Sequence, residues 1–581
     1  MKKYYLLLLF TSLTFGQSLR FAAKFGGGQH DICTDVAVDQ AGNVYAVGTF
    51  KGSVDFDPGP GIYNINELNT ATGDLYCVKL NRDGQLVWAM PAGGAHNYSA
   101  LDELTPVIAL DPSGNVLVAG HYQNTVDMNP GLATLFLPPV SELASTGNFI
   151  SKFNSLSGLI WCKRWGGQYG FHWNREIKTD AAGNIYVAGY FQHELEFDGP
   201  VPFYLVTDPA KNNGYIAKLN PNGDFLWAIQ IGTGTYDDYI RDMDVDAAGN
   251  IVVTGSYRGT VDFDPSEGEY FLSSQMNGGD IFVAKYTTDG ELQWAHTFGR
   301  LNSSNAETGD AVTFDPSGNI IATGTFRMMV DFNPAPGDDN VFNLETVGNG
   351  SQFFLKLSPQ GEFIWANTIG AMSASGTTDH TEKAFDITTD ADGNIHVVGH
   401  YVGQMDADPG EGVFYLIPEG GSDAAFNLKL DPQGNFLWAR SMDPPGTNYN
   451  AHARSIAVNP FGEVVVGGRF QGSVNFNPGG TPFIMTAVEP TYDSFVMSLF
   501  DNSLNTSDFA DANISAHPNP TSDLLYINGV EVISAEFVDA SGRVVLKSSG
   551  NVLSTSSLQN GIYFLRIASA DGIRTFKIVR N

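Results

Sequence analysis

The stretch Asp35-Val36-Ala37-Val38-Asp39-Gln40-Ala41-Gly42-Asn43-Val44-Tyr45-Ala46-Val47-Gly48-Thr49-Phe50 decides the fold, because the chain repeats it. Echoes run from Ile108 to Tyr122, Ile177 to Phe191, Met243 to Tyr257, Val312 to Phe326, Ile387 to Tyr401 and Ile456 to Phe470. Their turn glycines, from Gly42 to Gly462, recur at intervals of 66 to 75 residues. A fixed period means one supersecondary unit copied along the chain, and it overrides any domain count drawn from length. Within the phrase, two β-rich runs flank a tight Asp-x-x-Gly-Asn turn, the pattern of a hairpin.

Two further strand signals complete each unit. One is of the type Tyr215-Ile216-Ala217-Lys218-Leu219, and the other carries a Trp-Ala step such as Trp227-Ala228. Asn222-Gly223, Asp83-Gly84 and Asp289-Gly290 supply the turns between them. Four short antiparallel strands repeated radially are the grammar of a β-propeller blade. Trp88, Trp161, Trp227, Trp294, Trp365 and Trp438 mark six fourth strands, and the seventh unit has none. The segment from Phe21 to Gly27 resembles Trp161 to Gly167, so it is expected to supply the missing outer strand. The fold class predicted is all-β, a seven-bladed β-propeller closed by an N-terminal strand and followed by a small C-terminal β-sandwich. The repeat resembles the bacterial beta-propeller repeat family of large secreted proteins, which implies a fold more than an activity.

A second phrase, Val54-Asp55-Phe56-Asp57-Pro58, returns at Val261, Val330, Met405 and Val474. It reads as an extra hairpin between the second and third strands. Asn replaces Asp at 333, 475 and 477 without breaking the pattern, which favours turn capping over metal binding.

The two ends read as addresses. Lys2 and Lys3, then the apolar run Tyr4 to Phe10, have the form of a secretory signal peptide cleaved between Gly16 and Gln17. At the other end stand His517-Pro518-Asn519-Pro520, Asp539-Ala540-Ser541-Gly542-Arg543, Gly561-Ile562-Tyr563-Phe564-Leu565 and Thr575-Phe576-Lys577-Ile578-Val579-Arg580. In this order they resemble the type IX secretion system C-terminal sorting domain of Bacteroidetes-type bacteria. The resemblance implies export by that machinery, removal of the domain outside, and cargo attached to the cell surface. The expected organisation is residues 1–16 signal peptide, 17–505 propeller, 506–512 linker and 513–581 sorting domain.

Composition narrows the function. The chain carries 31 basic and 63 acidic residues, a net charge of -32, with 65 glycines. Such acidity repels phosphate backbones and excludes nucleic acid as a partner. No stretch is long and apolar enough for a transmembrane helix. Three cysteines cannot form a disulfide scaffold, although Cys33 and Cys77 fall in one repeat and could pair.

Antiparallel order puts the short, constant turns at one end of each unit and the long, variable loops at the other. Loops that vary on a constant scaffold are where specificity is built. Trp173, Asn174, Arg175, Tyr236, Tyr239, Arg241, Tyr449 and Arg454 lie there, and aromatics beside amides and guanidiniums suit a glycan or a protein ligand. Four residues before the turn aspartates stand Asp35, Glu176, Asp242 and Asp386, which radial geometry would gather at a channel mouth. Such a ring is compatible with Ca²⁺, with salt bridges to Arg175 and Arg241, or with plain solvation. No cofactor is required. No nucleophile, zinc or phosphate-binding motif occurs, so a binding module leads. A glycan hydrolase or lyase using Glu176 and Asp242 is one alternative, and an acidic structural surface protein binding divalent cations is another.

Overall fold

The computed structural model describes residues 17–501 and 515–580 apart from short loop stretches, the longest being 95–105, 300–306, 373–382 and 443–449. The chain divides into two compact units, Met1–Asn502 and Ser503–Asn581. Among the described residues there is no α-helix, and every ladder between strands is antiparallel.

The larger unit is a propeller-like repeat fold of seven four-strand modules. In the first, Ile32–Val38, Val44–Phe50, Asp74–Leu80 and Leu86–Gly94 pair in chain order. Five modules stand as separate sheets. The second and fifth each continue into a hairpin of the following repeat as six-stranded sheets. The seventh is built differently. Its first three strands are Ala451–Val458, Val464–Phe470 and Asp493–Asp501, and its fourth is Gln17–Phe25 from the far end of the unit. The first strand of each module packs against that of the next, and Ala451–Val458 packs against Ile32–Val38.

A four-stranded sheet of this size cannot cover its own faces, so burial comes from neighbours. One apolar cluster joins Ala119 and Ile150 of the second module to Val187 and Tyr215 of the third. Another joins Phe21, Val465 and Val496 of the seventh to Val36 and Tyr76 of the first. Each such side chain removed from water contributes about 1.5–3 kcal/mol.

The repeated polar residues are accounted for locally. Asp180 Oδ1 accepts the backbone N–H groups of Ala182 and Asn184, and its Oδ2 accepts the Asn184 amide. Gly183 takes a φ of 81° to let that turn close. Asp55 Oδ1 accepts the N–H groups of Asp57 and Tyr63 across the extra hairpin, and Asn475 does the same for Asn477 and Phe483. These carboxylates cap turns, which is why Asn substitutes freely. The fourth-strand tryptophans reach forward: Trp294 donates to the Pro359 carbonyl of the next module at 3.1 Å. Cys33, Cys77 and Cys162 are free thiols, so the pairing of Cys33 with Cys77 does not form.

The C-terminal unit packs a three-stranded sheet on a four-stranded one. Leu525 and Leu553 of the first share a core with Phe537, Leu565, Ile567 and Ile578 of the second.

Where the seventh module meets the first, the repeat departs from its pattern. Asn459 and Glu463 stand in place of the turn Asp and Asn. Glu463 is buried and receives Arg20 at 2.9 Å and Arg82 at 2.8 Å, while Arg20 Nε donates to the Arg82 carbonyl. Phe21 lies against Gly84, in the place other junctions give to tryptophan. Arg82→Ala strips one partner from a buried carboxylate whose other partner is partly exposed. It is expected to cost roughly 1–3 kcal/mol, against less than about 0.5 kcal/mol for the exposed pair partner Lys163→Ala. Chemical denaturation of both variants measures the difference.

Candidate functional site

The site is built by an irregularity that recurs in the first strands. In six modules the register slips by one residue, between Cys33 and Asp35, Asn174 and Glu176, Ile240 and Asp242, Gly309 and Ala311, Ala384 and Asp386, and Ala453 and Ser455. A bulge leaves one residue unpaired and re-aims its side chain. The six extra residues are Thr34, Arg175, Arg241, Asp310, Phe385 and Arg454, and all six line one cavity of about 120 Å³. Pro106 and Val107 of the second module complete it, so all seven modules contribute.

One residue deeper lie the four acids expected at a channel mouth, and the cavity does bring Asp35, Glu176, Asp242 and Asp386 together. They are not free carboxylates. Asp35 Oδ2 accepts the Ile108 N–H, Asp242 Oδ2 the Val312 N–H and Asp386 Oδ2 the Ile456 N–H, each from the following module at 2.7–2.8 Å. Ser455 also donates its hydroxyl to Asp35 at 2.7 Å. Glu176 takes the Lys178 ammonium at 3.0 Å. Burial alone would lower Lys178, but Glu176, Asp244, Asp242 and Asp35 together hold it well above the usual lysine value. Lys178 is the counter-charge of this layer, and sequence reasoning missed it. Burial, reinforced by Glu176, pushes Asp35 up to about 7 and Asp242 well above its ordinary value. Burial also takes Asp386 up to about 6 against the pull of Lys178.

Of the residues expected on the loop face, Arg175, Arg241 and Arg454 line the cavity. Trp173 and Tyr239 stand beside it in a row with Tyr190, at ring separations of 4.8 and 5.0 Å. Arg241 lies over the Tyr239 ring at 5.8 Å. Asn174 is a correction. It is fully buried, donating to the Gly120 and Phe149 carbonyls and accepting from Tyr215, because it precedes the bulge and so points into the junction between modules. Tyr236 packs under Arg258, a residue of the loop that follows Ile251–Tyr257, at 4.7 Å. Tyr449 lies outside the described residues, as does Gly16, whereas Gln17 begins the first described strand.

Phe385 of the cavity meets a histidine pair that the sequence did not connect. His396 pairs with Asp390, near the opposite turn, while His400 stacks on His452 at 4.3 Å and on Phe385 at 5.1 Å. Among the described residues, His400, Asp423 and His452 bring one ligand atom each within 4.8 Å of one another. Arg469 donates to His452 Nδ1 at 3.4 Å, which leaves Nε2–H to donate to Asp423 at 3.2 Å. Both nitrogens of His452 are thereby used, and the nearby charges of Lys383 and Arg454 oppose a metal ion. Burial, seconded by His452, drives His400 down to about 3.

With the geometry established, comparison with known proteins adds the following. The family model of the secretion system C-terminal sorting domain matches residues 515–581. The C-terminal unit is a type IX sorting domain. The sorting domain marks the chain for secretion, and among the described residues no helix is long and apolar enough to cross a membrane. An uncharacterised WD repeat-containing protein of Acanthamoeba polyphaga mimivirus is 26% identical over 555 residues, matching 83% of this chain; the chain spans 38% of that relative's length. The polysaccharide lyase Uly1 is 10% identical, with 81% of this chain and 89% of its own covered and a TM-score of 0.38. A protein of unknown function from Dyadobacter fermentans is 12% identical, with 83% and 99% covered and a TM-score of 0.32.

The buried acids make a signed prediction. Asp35, Asp242 and Asp386 bind their protons more tightly folded than unfolded, so their contribution to stability falls as pH rises from about 4 to about 7. Asp111 and Asp315 act oppositely and only below their ordinary value of 3.8, held low against burial by the Asn115 and Asn319 amides and by Lys152 and Lys356. Asp242→Asn keeps an oxygen for the Val312 N–H and removes the titration. It is expected to raise the melting temperature at pH 8 by roughly 2–4 °C and to leave it unchanged at pH 4.5. Equal losses at both values would show that the carboxylate itself is needed.

Proposed function

We propose that this is a closed seven-bladed β-propeller which, once exported, serves at the outer surface of the cell as a glycan-binding module through the cavity on its long-loop face. Support for seven blades comes from seven modules of one topology, with first strands in contact from each to the next and from the seventh back to the first. Pairing of Gln17–Phe25 with Asp493–Asp501 ties both ends of the unit into one sheet and removes an edge. The observation that carries the binding reading is the set of six bulges, which aim side chains from six modules at one cavity. Bulges interrupt the ladder and are over-represented beside active sites, and six of them at one depth support this reading. The half-buried row Trp173, Tyr190 and Tyr239 offers ring faces of the kind sugars stack on.

The same cavity supports a second reading. Asp242, whose carboxyl burial raises above its ordinary value, lines the same cavity as Glu176, and two carboxyl groups are the equipment of glycan cleavage. A divalent cation is the third reading of the four acids, and there Lys178 already supplies positive charge.

Two experiments separate these readings. Glycan-array binding by the mature chain is expected, with affinity lowered about tenfold by Trp173→Ala and no product released from the bound glycans. Release of product, abolished by Glu176→Gln, would replace binding with catalysis. Calcium is expected to leave the melting temperature of the parent unchanged and to raise that of Lys178→Met, which frees the carboxylates. A calcium response in the parent would restore the ion as a native component.

A further inference from the structure

In a chain with 31 basic and 63 acidic residues, an average surface patch is negative. The cavity gathers four basic residues beside its five acids. Arg175, Arg241, Lys383 and Arg454 reach it from the third, fourth, sixth and seventh modules. Their charges are close enough to act on one another. Asp310, 3.5 Å away, pulls the Lys383 ammonium up, yet burial and the charges of Arg241 and Arg175 prevail and hold it below the ordinary lysine value. The field extends outward, since Lys383 and Arg454 also help to lower His400. Like charges gathered at one mouth are costly unless something anionic meets them.

The acids of the same cavity are held by other partners, and burial raises Asp35, Asp242 and Asp386, which weakens their negative charge relative to free carboxylates. Asp35, Asp242 and Asp386 are committed to backbone amides of the next module. Glu176 is committed to Lys178, and Asp310 to Lys383, Thr308 and Thr325. Arg241 has capacity to spare, because its Nε is buried with no hydrogen-bond partner. A guanidinium presents a planar fork that fits carboxylate and sulfate oxygens two at a time. Arg241 also sits over Tyr239, at the end of the aromatic row. The fork and the ring faces are thus side by side, as an acidic sugar residue would need them.

We infer, resting on the glycan-binding reading above, that the ligand is an acidic polysaccharide. Its carboxylate or sulfate groups are held by Arg241 with Arg175, Lys383 and Arg454, and its sugar faces lie on Trp173, Tyr190 and Tyr239. The carboxylate and sulfate forms present the same bidentate anion to Arg241, so the probe set separates them.

Titration calorimetry with the mature chain would compare polygalacturonate, dextran sulfate, neutral dextran and poly-glutamate. Binding to polygalacturonate or dextran sulfate, whichever is the better anion, is expected to weaken as salt rises. It should fall about tenfold in Arg241→Gln, the loss of one charged hydrogen-bonding group. Arg241→Lys, which keeps the charge and loses the fork, should fall between the two, and Lys163→Met at an exposed pair should bind as the parent does. Thermal melting of Arg241→Gln at the parental temperature separates a lost contact from a lost fold; if it melts early, the ordering of Arg241→Lys below the parent decides instead. Binding of neutral glycans with indifference to the acidic ones would overturn this inference and leave the glycan-binding reading standing. No glycan binding at all would remove both. Poly-glutamate binding as well as the polysaccharides would show charge alone at work, and undiminished binding in both Arg241 variants would put the site elsewhere; either result sinks the proposal.

Discussion

Where the first strands crowd together, neighbouring modules come close but share no sheet ladder, and their edge amides need acceptors. Asp35, Asp242 and Asp386 supply them, each crossing to the N–H of a residue about one repeat further on. This single contact governs much of the rest. It takes carboxylates out of water, so their protons bind more tightly, and with Glu176 they raise Lys178 against its own burial. In the first, fourth and sixth modules the acid follows directly on the residue that the bulge leaves over. A buried charge left without a partner costs several kcal/mol, so the acids, the lysine and the bulges stand or fall together.

The outer side of the fold solves the same problem with different chemistry. There a tryptophan or a lysine of one module reaches a turn carbonyl of the next, as Trp294 and Lys285 both do at Pro359. The junction of the seventh module with the first adds a buried carboxylate held by two arginines, Glu463 with Arg20 and Arg82. The turn carbonyl is still met there, by Arg20 Nε at Arg82, although the two strands come from opposite ends of the larger unit.

Much of this was legible in the sequence because much of it is local. The Asp-x-x-Gly-Asn and Asp-Phe-Asp-Pro turns are held by hydrogen bonds spanning two to eight residues, and such contacts leave a readable pattern. The four acids were found by counting back from those turns, since the repeat transfers a position from one copy to the next. Asn174 was misplaced for the opposite reason. Period-two reasoning assigns faces by parity, and a bulge changes parity midway, so Arg175 and Glu176 both reach the cavity while Asn174 turns inward. Lys178 and the contact of His400 with His452 escaped notice because they depend on which modules adjoin, which no single repeat encodes.

The divergence of the copies has a direction. Tyr190, Tyr239 and Asn212 occupy the same three positions at the junction of the third and fourth modules as His400, His452 and Asp423 at that of the sixth and seventh. In both, a polar side chain of the third strand bonds the ring of the next module at 3.2 Å, Asn212 to Tyr239 and Asp423 to His452. The scaffold contact is kept and the chemistry exchanged. One side of the mouth is thereby phenolic and flat, and the other is basic, with Arg454, Lys383 and Arg469 around the imidazoles. Identical modules would present the same groups at every junction. These copies differ from one junction to another, and the difference falls where the bulges already direct their side chains.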